Sequence, residues 1–192
     1  AVISDLDEQV GRILQTLRSR NLASRTIVVY TSDHGLAIGS HGLRGKQNMY
    51  EHTIGVPFLV AGPGVPAGRR YRQPVYLRDI YPTLCELAGV PVPDNLDGRS
   101  FARVFRDVSA ATYSYVVGYF GNVQRMIRTE RWKLIEYPKS GRRQLFDLQA
   151  DPHERHDLAD DPAHRERLKQ LTASLRRWQR EHGDPLAASS AP

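Results

Sequence analysis

Thr26-Ile27-Val28-Val29-Tyr30-Thr31-Ser32-Asp33-His34-Gly35 is the stretch on which the fold turns. Its first six residues are apolar or β-branched without interruption. The run is too short for a helix, and its unbroken hydrophobicity fits a strand buried on both faces, as in a parallel sheet. The run stops at Ser32, and Asp33 and His34 follow at once. In open α/β sheets ligands bind just past the carboxyl ends of strands. A carboxylate beside an imidazole offers a metal one hard and one borderline donor. Taken alone, such a pair is explained as well by capping or loop hydrogen bonds.

Upstream, Ile3, Leu6, Val10, Leu14 and Leu17 recur at three- and four-residue steps, which predicts an amphipathic helix ended by Asn21. Asp7-Glu8 reads as a solvated early turn of that helix, favoured by the macrodipole. Downstream, a Gly- and His-rich loop runs to about Tyr50, then Pro57-Phe58-Leu59-Val60-Ala61 predicts a second buried strand that ends at the turn Gly62-Pro63-Gly64. Residues 78–88 predict a helix stopped by Gly89. Strand, helix and strand in succession make an α/β layer. Beyond Asp107 the pattern changes to short strands at 112–120, 124–128, 132–137 and 143–147, an antiparallel meander. A helix over 162–182, with Leu168, Leu171, Leu175 and Trp178 on one face, closes the chain. The expected organisation is a catalytic-type α/β portion at 1–108, a small α+β subdomain at 109–182 and a disordered tail at 183–192.

The totals narrow the function classes. No run of about 18 apolar residues exists, so no membrane span is expected. The net charge is +6, but the Arg excess is scattered and lacks interleaved aromatics, so nucleic acid is not an expected partner. The single Cys85 excludes an internal disulfide and leaves the compartment open. It lies within a helical pattern, where it reads as a small core residue. The opening at Ala1, inside a helical pattern, is what a fragment would show.

The loop after Asp33-His34 carries the sharper signal. Gly39-Ser40-His41-Gly42-Leu43-Arg44-Gly45-Lys46 and Tyr50-Glu51 set a lysine among glycines. Glycine lets backbone approach an anion, and lysine supplies a point charge for phosphate or sulfate oxygens. The whole run from Thr31 through Gly64 resembles the second signature region of sulfatases, members of the alkaline-phosphatase superfamily. The resemblance continues in Leu77-Arg78-Asp79-Ile80-Tyr81-Pro82-Thr83, Leu87-Ala88-Gly89-Val90 and Leu96-Asp97-Gly98-Arg99-Ser100. It ends in Leu145-Phe146-Asp147-Leu148 with Asp151-Pro152, Glu154 and Asp157-Leu158.

That resemblance implies an α/β fold: the C-terminal part of an alkaline-phosphatase-like α/β/α sandwich, followed by a small antiparallel sheet and a C-terminal helix. It implies that Asp33 and His34 ligate a divalent metal, Ca²⁺ by family habit, although Mn²⁺ or Zn²⁺ would suit the pair chemically. Lys46 matches the catalytic lysine that touches the sulfate and the leaving oxygen, and His41 lies in the same loop as a candidate substrate contact. The implied substrate is a small sulfate ester or a sulfated sugar.

Departures bound the reading. The formylglycine precursor motif C/S-x-P-S-R is absent, and so is the N-terminal Asp-Asp pair that completes the metal cage. Asp160-Asp161 does not replace that pair, because helix capping before Pro162 explains it. Gly55 stands where many relatives carry Arg. His153 and His156 are three apart, one short of the metalloprotease spacing. The expected enzyme is therefore a sulfatase whose N-terminal half lies on sequence outside this chain, and the chain alone is expected to be inactive. Its rivals are a phosphonate or phosphate ester hydrolase of the same superfamily, and an inactive fragment or partner subunit.

Overall fold

The stripe that begins at Ile3 does form a helix in the computed structural model, which describes residues 2–187. Helix α1 (Val2–Ser19) leads into β1 (Val28–Thr31). A hairpin of β2 (Ala37–Ile38) and β3 (Arg44–Gly45) precedes α2 (Glu51–Ile54), β4 (Phe58–Ala61) and α3 (Ile80–Ala88). The second half holds β5 (Val116–Phe120), β6 (Gln124–Arg128), β7 (Trp132–Tyr137), β8 (Arg142–Asp147) and α4 (Arg165–Glu181). The residues divide into two compact units. The first holds the chain through Thr31, Pro57–Tyr71 and Leu77–Ala110; the second holds Ser32–Val56, Arg72–Tyr76 and the chain from Ala111 onward.

In the first unit, β1 and β4 pair antiparallel, with Val28 opposite Ala61 and Thr31 opposite Phe58. This corrects the expectation of a parallel pairing. Hydrophobic pattern reports how much of a strand seeks cover and carries no information on strand direction. Nor are the two strands buried on both faces: Leu59 is 59% exposed and Tyr30 is exposed as well. Helix α1 has no buried residue, and Ile3 at its start is 84% exposed. The core of this unit gathers instead around α3, where Pro82, Thr83 and Cys85 are buried. Phe101 packs edge-on against Phe58 and Phe105, at 5.6 and 5.9 Å between ring centres. Gly89 caps α3 in the left-handed region at φ 68°, as expected of a helix stop.

The second unit is built on the four-stranded antiparallel sheet β5-β6-β7-β8, the expected meander. Alternate residues face opposite ways along a strand. Ile127, Leu134 and Leu145 therefore pack with Leu171 and Leu175 of α4 on one face. Met126, Ile135 and Phe146 pack on the other face with Met49, Tyr50 and Leu43 from the glycine-rich loop. The sheet thus supports a helix on one side and the candidate site loop on the other. The Asp161 carboxylate accepts from Ala163 N at 2.9 Å and caps the turn that leads into α4, as its place before Pro162 implied. The residues after Gly183, expected as disordered tail, are held as far as they are described: Asp184 pairs with buried Arg125 at 2.6 Å. Residues 188–192 of that tail lie outside the described residues.

Candidate functional site

The site begins at the residue after β1. Gly35 has room for no side chain, because a Cβ there would fall onto the carbonyl oxygen of His52. Its N–H donates to Thr53 O at 2.7 Å, which ties the Asp-His-Gly turn to α2. The turn is fixed further by the Ser32 hydroxyl, which donates to His34 O at 2.9 Å, and by His34 N, which donates to Asp33 Oδ1 at 2.9 Å.

These contacts aim the imidazole. His34 Nδ1 lies 2.9 Å from Gly35 O, a group that only accepts. Nε2 lies 2.7 Å from Lys46 Nζ, a group that only donates. These two neighbours favour the proton on Nδ1, whereas a carboxylate beside Nε2 favours a proton there. Asp33 Oδ2 stands 3.2 Å from that same Nε2. Three side chains from two stretches of loop thus converge: the carboxylate and imidazole of Asp33-His34 and the ammonium of Lys46. The backbone bond to Nδ1 is the support that a metal-binding histidine ordinarily has.

Asp33 and His34 offer a divalent cation two donors, with Nε2 able to coordinate only once its contact with Lys46 Nζ is given up. Their donor atoms are 3.2 Å apart, as two ligands of one ion are, and oxygen plus imidazole nitrogen is a donor set that such ions accept. Among the described residues no group of three or more His, Cys, Asp and Glu side chains comes together, so the remaining ligands would have to come from elsewhere.

His41 does not contact that cluster. It sits in the left-handed region at φ 55°, flat against Tyr50 at 4.0 Å, with Nε2 3.1 Å from His153 O. His52 extends the stack, 5.5 Å from His41. Burial, followed by the nearby charges of His41 and Lys133, holds His52 below the ordinary histidine range.

Sequence reasoning missed what holds the loop in place. Lys133 in β7 is fully buried, and its Nζ lies 2.6 Å from both Glu51 Oε1 and Glu154 Oε1 and 3.1 Å from Met49 O. Glu154 Oε2 in turn accepts from Glu51 N at 2.6 Å, and Arg128 donates to Glu51 at 2.9 Å. Burial alone would raise the Glu51 carboxyl, but Lys133 and Arg128 together hold it below its ordinary value. The acids of Tyr50-Glu51 and of Asp151-Pro152-His153-Glu154 are thus two arms of one buried clamp. The only sequence signal for it was a lysine among the apolar residues of a strand.

The family profile for N-sulphoglucosamine sulphohydrolase, C-terminal, matches residues 39–181. The chain is 37% identical over 175 residues to arylsulfatase K of Rattus norvegicus, covering 84% of this chain and 31% of that protein. It is 34% identical over 184 residues to the delta 4,5-hexuronate-2-O-sulfatase of Bacteroides thetaiotaomicron, covering 88% and 38%. Among solved structures, a 2-O GAG sulfatase superposes with a TM-score of 0.83 at 31% identity, over 95% of this chain and 42% of that one. The phosphonate monoester hydrolase of Agrobacterium radiobacter superposes at 0.77 and 27%, over 94% and 40%. The chain spans about a third of the length of the curated relatives it matches. The sheet, the closing helix and the α/β portion before them form the expected alkaline-phosphatase-like arrangement, and the chain belongs to the sulfatase family.

Proposed function

We propose that this chain supplies the C-terminal share of the active site of a sulfuric ester hydrolase that acts on sulfated sugars. The observation that carries the proposal is the convergence of Lys46 Nζ and Asp33 Oδ2 on His34 Nε2, at 2.7 and 3.2 Å. Asp33 and His34 would hold a divalent cation, Ca²⁺ by family resemblance, which when bound acts as a Lewis acid toward the sulfuryl oxygens. Gly35 O orients His34 for that task. Lys46 offsets the negative charge that grows on the bridging oxygen as the S–O bond breaks. The clamp of Glu51, Lys133 and Glu154 holds the loop that carries Lys46.

On this proposal the formylglycine nucleophile and the remaining metal ligands come from outside these 192 residues, which hold no C/S-x-P-S-R motif, and the chain alone is expected to be inactive. The sugar preference rests on the hexuronate named for one relative. A second reading, hydrolysis of phosphonate or phosphate esters, draws on the likeness to the Agrobacterium enzyme. The deciding experiment joins the chain to its upstream coding sequence and compares turnover of 4-nitrophenyl sulfate with that of 4-nitrophenyl phenylphosphonate. Faster sulfate turnover, lost in Asp33→Ala, supports the proposal. Faster phosphonate turnover selects the second reading, and turnover by the unextended chain overturns the claim that it is inactive.

A further inference from the structure

A cavity of about 510 Å³ opens in the second unit between the glycine-rich loop and the sheet. Its walls have an unusual chemistry. Tyr50, Tyr137 and Phe146 give it aromatic surface. The Tyr50 and Tyr137 hydroxyls both donate to Gln144 Oε1, at 2.9 and 3.0 Å, so their rings are pinned by their outer ends. Both carboxylates on the wall are engaged. Glu154 holds Lys133 and the amide of Glu51, and Asp157 Oδ1 accepts from Leu145 N and Ala159 N at 3.0 Å each. The two arginines are not so engaged. Arg142 lies over the Tyr137 ring at 5.7 Å, and among the described residues neither Arg142 nor Arg155 forms an ion pair with a carboxylate.

Gln124 completes the picture. It lines the same cavity, it is only 8% exposed, and its Oε1 is buried without a hydrogen-bond partner. A buried acceptor left unsatisfied is costly, and it is explained when a ligand supplies the donor. The wall therefore presents an unmet acceptor, two guanidinium groups without an ion pair and the pinned ring of Tyr137.

We infer that this cavity is a subsite for an acidic sugar unit. The sugar's carboxylate meets Arg142 and Arg155, one hydroxyl donates to Gln124 Oε1, and its C–H face lies against the half-buried Tyr137 ring. Guanidinium groups match a carboxylate with paired donors, and a polyol ring supplies the donor that Gln124 lacks. Two cavity residues, His41 and Gln47, belong to the loop that carries Lys46, and Gln47 follows it directly. In that respect the inference rests on the sulfatase reading: the unit bound here is the one linked to the sugar whose sulfate faces Lys46.

The test is binding, which needs no nucleophile and is separable from turnover. Calorimetric titration of the 192-residue chain uses an unsulfated glucuronate–hexosamine disaccharide, and then the same disaccharide with its carboxyl reduced to the alcohol. Saturable binding is expected, weakened about tenfold or more by carboxyl reduction, as loss of a charge-assisted contact implies. Arg142→Ala and Gln124→Leu should each weaken it too, with an unchanged melting midpoint for Arg142→Ala because that side chain is exposed. Absence of binding, equal binding of the reduced sugar, or indifference to Arg142→Ala would overturn the subsite. In the extended enzyme, Arg142→Ala should raise KM for a sulfated uronate disaccharide and leave 4-nitrophenyl sulfate turnover unaltered. If the unaltered enzyme hydrolyses neither ester while the chain still binds the disaccharide, the sulfatase reading fails and the subsite stands.

Discussion

The two units of the chain treat their apolar surface in opposite ways. In the second, the sheet is covered on both faces, and Ile127, Leu134, Ile135 and Leu145 are inaccessible to solvent. In the first, α1 buries nothing, and the two-stranded sheet leaves Tyr30 and Leu59 exposed. Their sequences look equally amphipathic. An apolar stripe shows which face seeks cover, and only the tertiary structure shows whether these residues supply it. The candidate site lies in the covered unit, where its loop is one layer of the core.

The largest effect that would sharpen this contrast concerns the clamp. Lys133→Ala leaves buried Glu154 without a cation and Glu51 with Arg128 alone. Breaking a buried pair in this way costs on the order of 3–5 kcal/mol. Urea unfolding followed by tryptophan fluorescence should show that loss, since Trp132 adjoins Lys133. A cost under about 1 kcal/mol would mean that the clamp does not hold the loop.

Next comes packing. Leu175→Ala removes a fully buried side chain of α4 and should cost roughly 2–5 kcal/mol. Ile3→Ala, at the exposed start of α1, should change stability by no more than about 0.5 kcal/mol. Similar losses at the two positions, in the same unfolding series, would break the contrast between the units.

The smallest effect is a pH dependence of the second unit. His52 is held below its ordinary value in the folded chain, so on acidification the unfolded chain takes up that proton first. Stability should therefore fall as pH drops below the unfolded histidine value of about 6.5. Glu51, also held low, extends the loss below its unfolded value of 4.5, down through its lower folded value. Thermal melts at pH 7, 6 and 5 should show a declining midpoint, and His52→Gln should flatten the upper part of that decline. An unchanged slope in His52→Gln would assign the decline to other groups.

Much of this was legible in the chain. The strands at 124–128 and 132–137 and the stops at Asn21 and Gly89 follow from periodicity and turn chemistry. Asp33, His34 and Lys46 could be singled out because a strand end and a glycine-rich loop mark where backbone is free to bind. Two things were not legible. Strand direction in β1 and β4 depends on pairing partners that local pattern does not encode. The clamp joins Glu51 to Lys133 and Glu154, residues some 80 to 100 positions away, and no local rule links them. The cavity is hidden for the same reason, since Gln124, Arg142 and Arg155 come together only when the sheet forms.

The most direct test of the account asks whether Lys46 acts on the leaving oxygen. In the chain joined to its upstream coding sequence, kcat/KM would be measured for 4-nitrophenyl sulfate and for a sugar sulfate, in the native sequence and in Lys46→Ala. Loss of a preorganised charge at a reacting oxygen costs on the order of a hundredfold or more. A sugar alkoxide leaves less readily than nitrophenolate and depends more on that charge. The loss should be at least about tenfold larger for the sugar sulfate. Equal losses for the two esters, or no loss at all, would contradict it.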